Sequence, residues 1–253
     1  MKPKTNSVGT IELTFEIIEI VKERGEAGVA EIAKVLDQPK STVHSHLSTL
    51  EQNEYLVAEN GSYQLGLRFL DLGEITRKRK KIYREGKDEV EKLAENTGEL
   101  ASILVEEHGR GVFLCRPKGE NAVQLDSYDG YRIHLHTTAA GKPILAHKSK
   151  AEIQRIIDYH GLPRRTENTI VDTDELFEHL TEVREQGIAF DDEERLRGLR
   201  CVGAPIRNGE DEVVGTVSLA GPTSRLQGDV FHEEYPDLVQ QAANVIELGI
   251  THG

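Results

Sequence analysis

The sequence predicts an α+β chain: an N-terminal winged helix-turn-helix over residues 1–66, a linker helix over 67–84, and a C-terminal domain over 85–253 with a mostly antiparallel sheet. Three observations carry this. Between residues 29 and 65, two runs of helical apolar spacing are separated by Asp37-Gln38-Pro39 and followed by an Asn-Gly hairpin. A dense basic run, Arg77-Lys78-Arg79-Lys80-Lys81, ends the next helical stretch. Beyond Arg84 the pattern changes to short strand-like segments with glycine turns, interleaved with helices.

The first element spans Ile11 to Arg24, with Ile11, Phe15, Ile18 and Val21 on one stripe and Gly25 as its stop. Val29, Ile32, Ala33 and Leu36 define a second helix, which Asp37-Gln38-Pro39 breaks. A third runs roughly from Lys40 to Asn53 and turns Val43, Leu47 and Leu50 inward. That leaves Lys40, Ser41, Thr42, His44, Ser45, His46 and Ser48 outside. The short hydroxyls and imidazoles of this face differ from the Glu and Lys pairs of a solvated helix. Lys40, Ser41 and Thr42 are positioned to reach phosphates, and Thr42, His44, Ser45 or Ser48 to reach base edges in a major groove. Tyr55 to Glu59 and Tyr63 to Leu65, joined by Asn60-Gly61-Ser62, complete a wing.

Leu67, Leu70, Leu72 and Ile75 give the linker helix an apolar stripe leading into the basic run, where Arg79 serves either as a phosphate contact or as part of a solvated face. Val90, Leu93 and Ala94 predict a helix ending near Gly98. Strands are expected at 101–106, 112–115, 123–128 and 131–136, helices at 139–147, 149–160 and 172–186, and a strand pair at 199–207 and 212–219 joined by Asn208-Gly209-Glu210-Asp211. A helix over 230–248 closes the chain.

At 253 residues the chain is long enough for two cores. With no apolar run of membrane-spanning length, no signal-like segment after Met1-Lys2-Pro3-Lys4, and only Cys115 and Cys201, it reads as a cytoplasmic protein of a reducing compartment, without membrane contact or a disulfide framework. The net charge of −13 opposes binding to a polyanion at first sight. Residues 1–84, however, hold 13 Lys and Arg against 12 Asp and Glu, whereas the remainder holds 18 against 32. The acid thus lies outside the expected DNA module. Its sign is the one a high-salt cytoplasm favours, at a size too small to establish one.

Five motifs in order carry a resemblance: the winged helix ending in Tyr63-Gln64-Leu65-Gly66; His136-Thr137-Thr138-Ala139-Ala140-Gly141-Lys142-Pro143; Gly187 through Glu194; Gly198-Leu199-Arg200-Cys201; and Ser218-Leu219-Ala220-Gly221-Pro222. Together they span nearly the whole chain, which resembles an IclR-type transcriptional regulator. The resemblance implies a GAF-like effector domain and assembly as a homodimer or a homotetramer. It further implies a sequence-specific regulator that binds double-stranded DNA at a palindromic operator and responds to a small-molecule effector, a carboxylic acid. Carried over residue by residue, it assigns the backbone N–H groups of Ala139 and Ala140, and the side chains of Asp191, Cys201 and Ser218, to the effector. Ala220 stands where the family commonly has a second hydroxyl, which disfavours a highly oxygenated ligand. With a helix N-terminus and one hydroxyl as the only visible anion holders, a hydroxy or keto monoacid is expected over a dicarboxylate.

Other readings stand beside these. Cys201 on a strand also suits a small core residue, and Asp191 a solvated acidic cluster. An enzyme with Cys201 as nucleophile is the alternative function, but no nucleophile elbow, Walker loop or dinucleotide-binding glycine pattern supports it. His134 and His136 share a strand face as metal ligands would, yet nothing at ligand spacing completes a site, so neither metal nor cofactor is expected.

Overall fold

The computed structural model describes residues 7–253 and divides the chain after Thr76 into two units with separate hydrophobic cores. In the first, α1 (Gly9–Arg24) leads through the two-residue β1 (Ala27–Gly28) to α2 (Val29–Leu36) and α3 (Lys40–Gln52), followed by β2 (Leu56–Glu59), β3 (Ser62–Leu65) and α4 (Arg68–Lys78). Ile17, Val21, Ile32, Val43 and Leu47 are fully buried between the three helices; on α1 the buried side is Ile17, Ile20 and Val21, whereas Ile11 and Phe15 of the expected stripe are exposed. The turn between α2 and α3 is made by Asp37 in the left-handed region (φ 50°), with its N–H bonded to the carbonyl of Ala33. Asn60 and Gly61 both adopt positive φ, the twist that lets a two-residue turn join antiparallel strands. β1, too short to leave a periodic trace, adds a third strand beside β3.

The helix expected over 67–84 is two helices. α4 stops at Lys78 and α5 (Lys81–Thr97) starts after an extended Lys80. Five consecutive cations cannot be stacked on one helix without mutual repulsion. The break also lets Arg84 donate to the exposed carbonyls of Lys78 and Arg79 at 3.0 and 3.2 Å. α5 continues to Gly98, whose φ of 71° closes the helix, and buries Ile82, Tyr83, Val90 and Leu93 in the second unit.

That unit is a six-stranded antiparallel sheet of order β6-β5-β4-β9-β8-β7. Its strands are β4 (Leu100–Glu107), β5 (Arg110–Cys115), β6 (Arg132–Ile133), β7 (Ala189–Asp192), β8 (Leu199–Arg207) and β9 (Val213–Pro222). Alternation splits the side chains cleanly. Ala101, Ile103, Val105, Val202, Ala204, Val217 and Leu219 join the core formed with α5 and with α9 (Tyr235–His252), which is preceded by a π-helical turn over Val230–Glu234. Leu100, Leu104, Cys201 and Ala220 belong to a second core shared with α6 (Lys142–Ala146), α7 (Lys150–His160) and α8 (Thr173–Gln186).

Three sequence expectations change here. Residues 123–128 form no strand: Val123 and Leu125 spend their alternation packing a loop onto the second core. The strand expected over 131–136 pairs only at Arg132 and Ile133 before a 3-10 turn over Leu135–Thr137. The helix expected over 139–147 shrinks to the five residues of α6. Among the described residues, no helix is long and apolar enough to cross a membrane.

Candidate DNA-reading helix and effector site

α3 presents the face that its sequence spacing defines. Lys40, Ser41, His44 and Ser45 are exposed, and Thr42 and Ser48 are half-buried. Ser48 Oγ lies 3.4 Å from His44 Nδ1, so the two side chains form one polar pair a helical turn apart. Ser45 spends its donor on the carbonyl of Ser41 at 3.0 Å, leaving lone pairs that accept. His46 turns away instead: its Nδ1 meets Thr14 Oγ1 at 2.8 Å and pins α3 to α1. Arg79 is exposed in the turn after α4.

In the second unit the sheet register brings the other predicted residues to one face. Asp191 pairs with Cys201, Cys201 with Ala220, and Ser218 with both Gly203 and Ser102, so side chains from four strands point the same way. Ser218 and Ser102 share a buried hydrogen bond of 2.8 Å. Ala139 and Ala140 lie in the turn before α6, packed so tightly on β8 that a Cβ at Gly203 would stand 2.4 Å from the Ala139 carbonyl oxygen. Thr216 Oγ1 holds that turn by donating to the Ala140 carbonyl at 2.7 Å.

Asp191 is completely buried. Oδ1 accepts the backbone N–H of Glu194 at 2.8 Å and that of Arg195 at 3.4 Å, while Oδ2 has no hydrogen-bond partner among the described residues. Burial, with Glu194 beside it, raises its carboxyl to about 7. Lys142, also fully buried, forms an ion pair of 2.5 Å with Glu194 Oε1 and anchors the turn before α6 to the loop after β7. Burial and Asp191 push the Cys201 thiol well above its ordinary value, the reverse of what an activated nucleophile needs. His134 and His136 are likewise held down, each to about 4, by burial and nearby cations; His134 Nε2 is taken up by Arg110 at 2.8 Å.

Comparisons with known proteins identify the family of the chain. Residues 76–248 match the model described as bacterial transcriptional regulator IclR C-terminal, and residues 10–59 match the IclR helix-turn-helix domain. The chain belongs to the IclR family of transcriptional regulators. Over 237 residues it is 37% identical to a Halobacterium salinarum protein named "Probable HTH-type transcriptional regulator ArcR", covering 92% of this chain and 90% of that one. The Thermotoga maritima IclR crystal structure superposes with a TM-score of 0.79 at 28% identity, over 96% of this chain and 99% of that one. A Microbacterium hydrocarbonoxydans IclR homologue, solved in complex with 4-hydroxybenzoate, shares the fold, with a TM-score of 0.82 at 22% identity over 95% and 98% of the two chains. The chain is therefore a regulator with a DNA-binding winged helix and an effector-binding domain.

Sequence reasoning missed Ser102, the Lys142–Glu194 pair, and two arginines, Arg116 and Arg195. Ser102 and Lys142 had a signal, each being a polar residue inside an apolar run. The arginines had none, since loop arginines are ordinary until the fold gathers them.

Proposed function

We propose that this IclR-family regulator acts in the cytoplasm as a homodimer, or a tetramer of dimers, on a palindromic operator, and that its effector is a small carboxylic acid bound on the sheet face of the second unit. The observation that carries the reading is the convergence of Asp191, Cys201 and Ser218 with the Ala139–Ala140 turn on that one face, where a buried carboxylate oxygen has no partner. In each half-site, α3 reads bases through Thr42, His44, Ser45 and Ser48, while Lys40, Ser41 and Arg79 meet phosphates. Exposed apolar side chains of α1 and α4 pair the DNA-binding units. The chain works as a binding protein rather than an enzyme, because the Cys201 thiol stays protonated where it is buried. Domain limits of 1–66, 67–84 and 85–253 remain our functional division, with α4 and the break after it as the connection.

Calorimetry tests the effector site directly. Titration with lactate, pyruvate and 4-hydroxybenzoate should reveal at least one ligand whose affinity falls on Ser218→Ala and Asp191→Ala. Equal affinity in all three proteins would show that the acid binds elsewhere.

A further inference from the structure

The effector face carries more cation than its motifs contain. Arg116 leaves the end of β5 and lays its guanidinium over the Phe113 ring, 4.0 Å from the centroid. Arg195, in the turn after β7, reaches back across the face to the same ring at 5.9 Å and to Tyr131 at 5.9 Å. β5 and β7 are four places apart in the sheet, so two distant strands deliver two guanidiniums to one aromatic side chain. Both guanidiniums favour the Cys201 thiolate electrostatically, so their charge reaches the Asp191–Cys201 pair.

The pair is also uncompensated. Arg197 and Arg200, close by in sequence, are neutralised by Glu167 and Asp192, whereas no carboxylate pairs with Arg116 or Arg195 among the described residues. Arg116 donates from Nη1 to Ser127 Oγ, but its buried Nε has no partner among the described residues. Burial and the charge of Arg195 bring Arg116 down to about 10. Two like charges held together in partly buried surroundings cost free energy unless an anion joins them. Asp191, Cys201, Ser102 and Ser218 are buried while both arginines are half-exposed, so a solute arriving from water meets the guanidiniums first.

We propose that Arg116 and Arg195 form a clamp for the carboxylate of the effector, and that the free Oδ2 of Asp191, deeper in the face, accepts a hydroxyl of the same molecule. This rests on the reading of the face as the effector site and names the ligand class it takes: hydroxy monocarboxylates. A guanidinium fork matches a carboxylate in two parallel hydrogen bonds, which an uncharged amide of the same shape cannot reproduce. A second carboxylate would instead be directed at Asp191 and repelled. The anion thus owes its place to two side chains rather than to the five-residue α6.

Calorimetry with the full chain tests the clamp, using lactate and 4-hydroxybenzoate against lactamide and 4-hydroxybenzamide. The wild type should bind an acid and not its amide. Arg195→Gln, whose side chain makes no hydrogen bond in the fold, should weaken that acid at least tenfold; Arg116→Gln should do the same, and Arg195→Lys should recover part of the loss. Far-UV circular dichroism checks that each variant is folded. Affinity within twofold of wild type in a folded Arg195→Gln protein would overturn the clamp, as would failure of the wild type to bind either acid at millimolar concentration. If Ser218→Ala and Asp191→Asn abolish binding while both glutamine variants retain it, the clamp falls and the effector site stands. If none of the four changes affinity, the site itself is misassigned.

Discussion

At Asp191 the fold keeps a carboxyl group out of water, and the consequence is a pH-dependent stability with a definite sign. The folded value of about 7 lies above the ordinary value of 3.8, so the folded state holds the proton more tightly than the unfolded chain. Asp191 therefore costs nothing below about pH 4, costs progressively more as pH rises to 7, and costs a constant amount above that. Asp191→Asn keeps an oxygen for the N–H groups of Glu194 and Arg195 and removes the charge. In the absence of effector it should stabilise the protein by about 4 kcal/mol at pH 8, at roughly 1.4 kcal/mol per pKa unit, with the gain vanishing towards pH 4. Urea unfolding at several pH values measures this; a gain independent of pH would contradict the buried-carboxyl account. On α3, alanine at Thr42, His44 or Ser48 should change the preferred operator sequence, each lost base contact being worth on the order of 1–3 kcal/mol. Lys40→Ala and Arg79→Ala should instead weaken all sequences alike and flatten the salt dependence. A uniform loss from all five variants, read by fluorescence anisotropy on an operator library, would remove the base-reading assignment. That Asp191, Cys201 and Ser218 belong together was legible because they sit in short motifs, and the strand register brings them to one face. Arg116 and Arg195 were not, because their meaning arises only when strands far apart in the chain meet.

Among the elements, α4 stands out by burying none of its residues: Leu67 beside it is 82% exposed, and Leu70 and Ile75 within it are 67% and 62% exposed. Phe15 on α1 is 63% exposed. Apolar side chains in such numbers are what the proposed pairing of DNA-binding units would cover, and in a two-fold dimer each one counts twice. Leu70→Lys should therefore yield monomers at micromolar concentration by light scattering, with little change in the thermal stability of the chain, since the side chain contributes to no core. An unchanged dimeric mass would exclude α4 from the interface. Helices with strong periodicity, such as α1 to α3 and α8, could be read from sequence nearly to the residue. The errors fall where tertiary context overrules local pattern. Val123 and Leu125 alternate like a strand yet pack as a loop, α6 is held short by the turn that presses on Gly203, and β1 and β7 are too brief to show a period.

Across the whole molecule, one chain carries two separate cores and two opposite charge balances. Residues 1–84, which include the basic run, are nearly neutral, and the acidic excess of the chain lies in residues 85–253. A regulator of this kind works only if the two units share a free energy: an acid bound with different affinity in two states of the protein must shift DNA affinity by the same factor that DNA shifts its own. The most direct measurement is operator affinity of the full-length protein by fluorescence anisotropy, at fixed salt, with and without a saturating hydroxy acid, beside the acid's affinity with and without operator. The account predicts a change of roughly 5- to 150-fold that is equal in the two directions and lost in Asp191→Asn and Arg195→Gln. Operator affinity that stays the same when the acid is bound would contradict it.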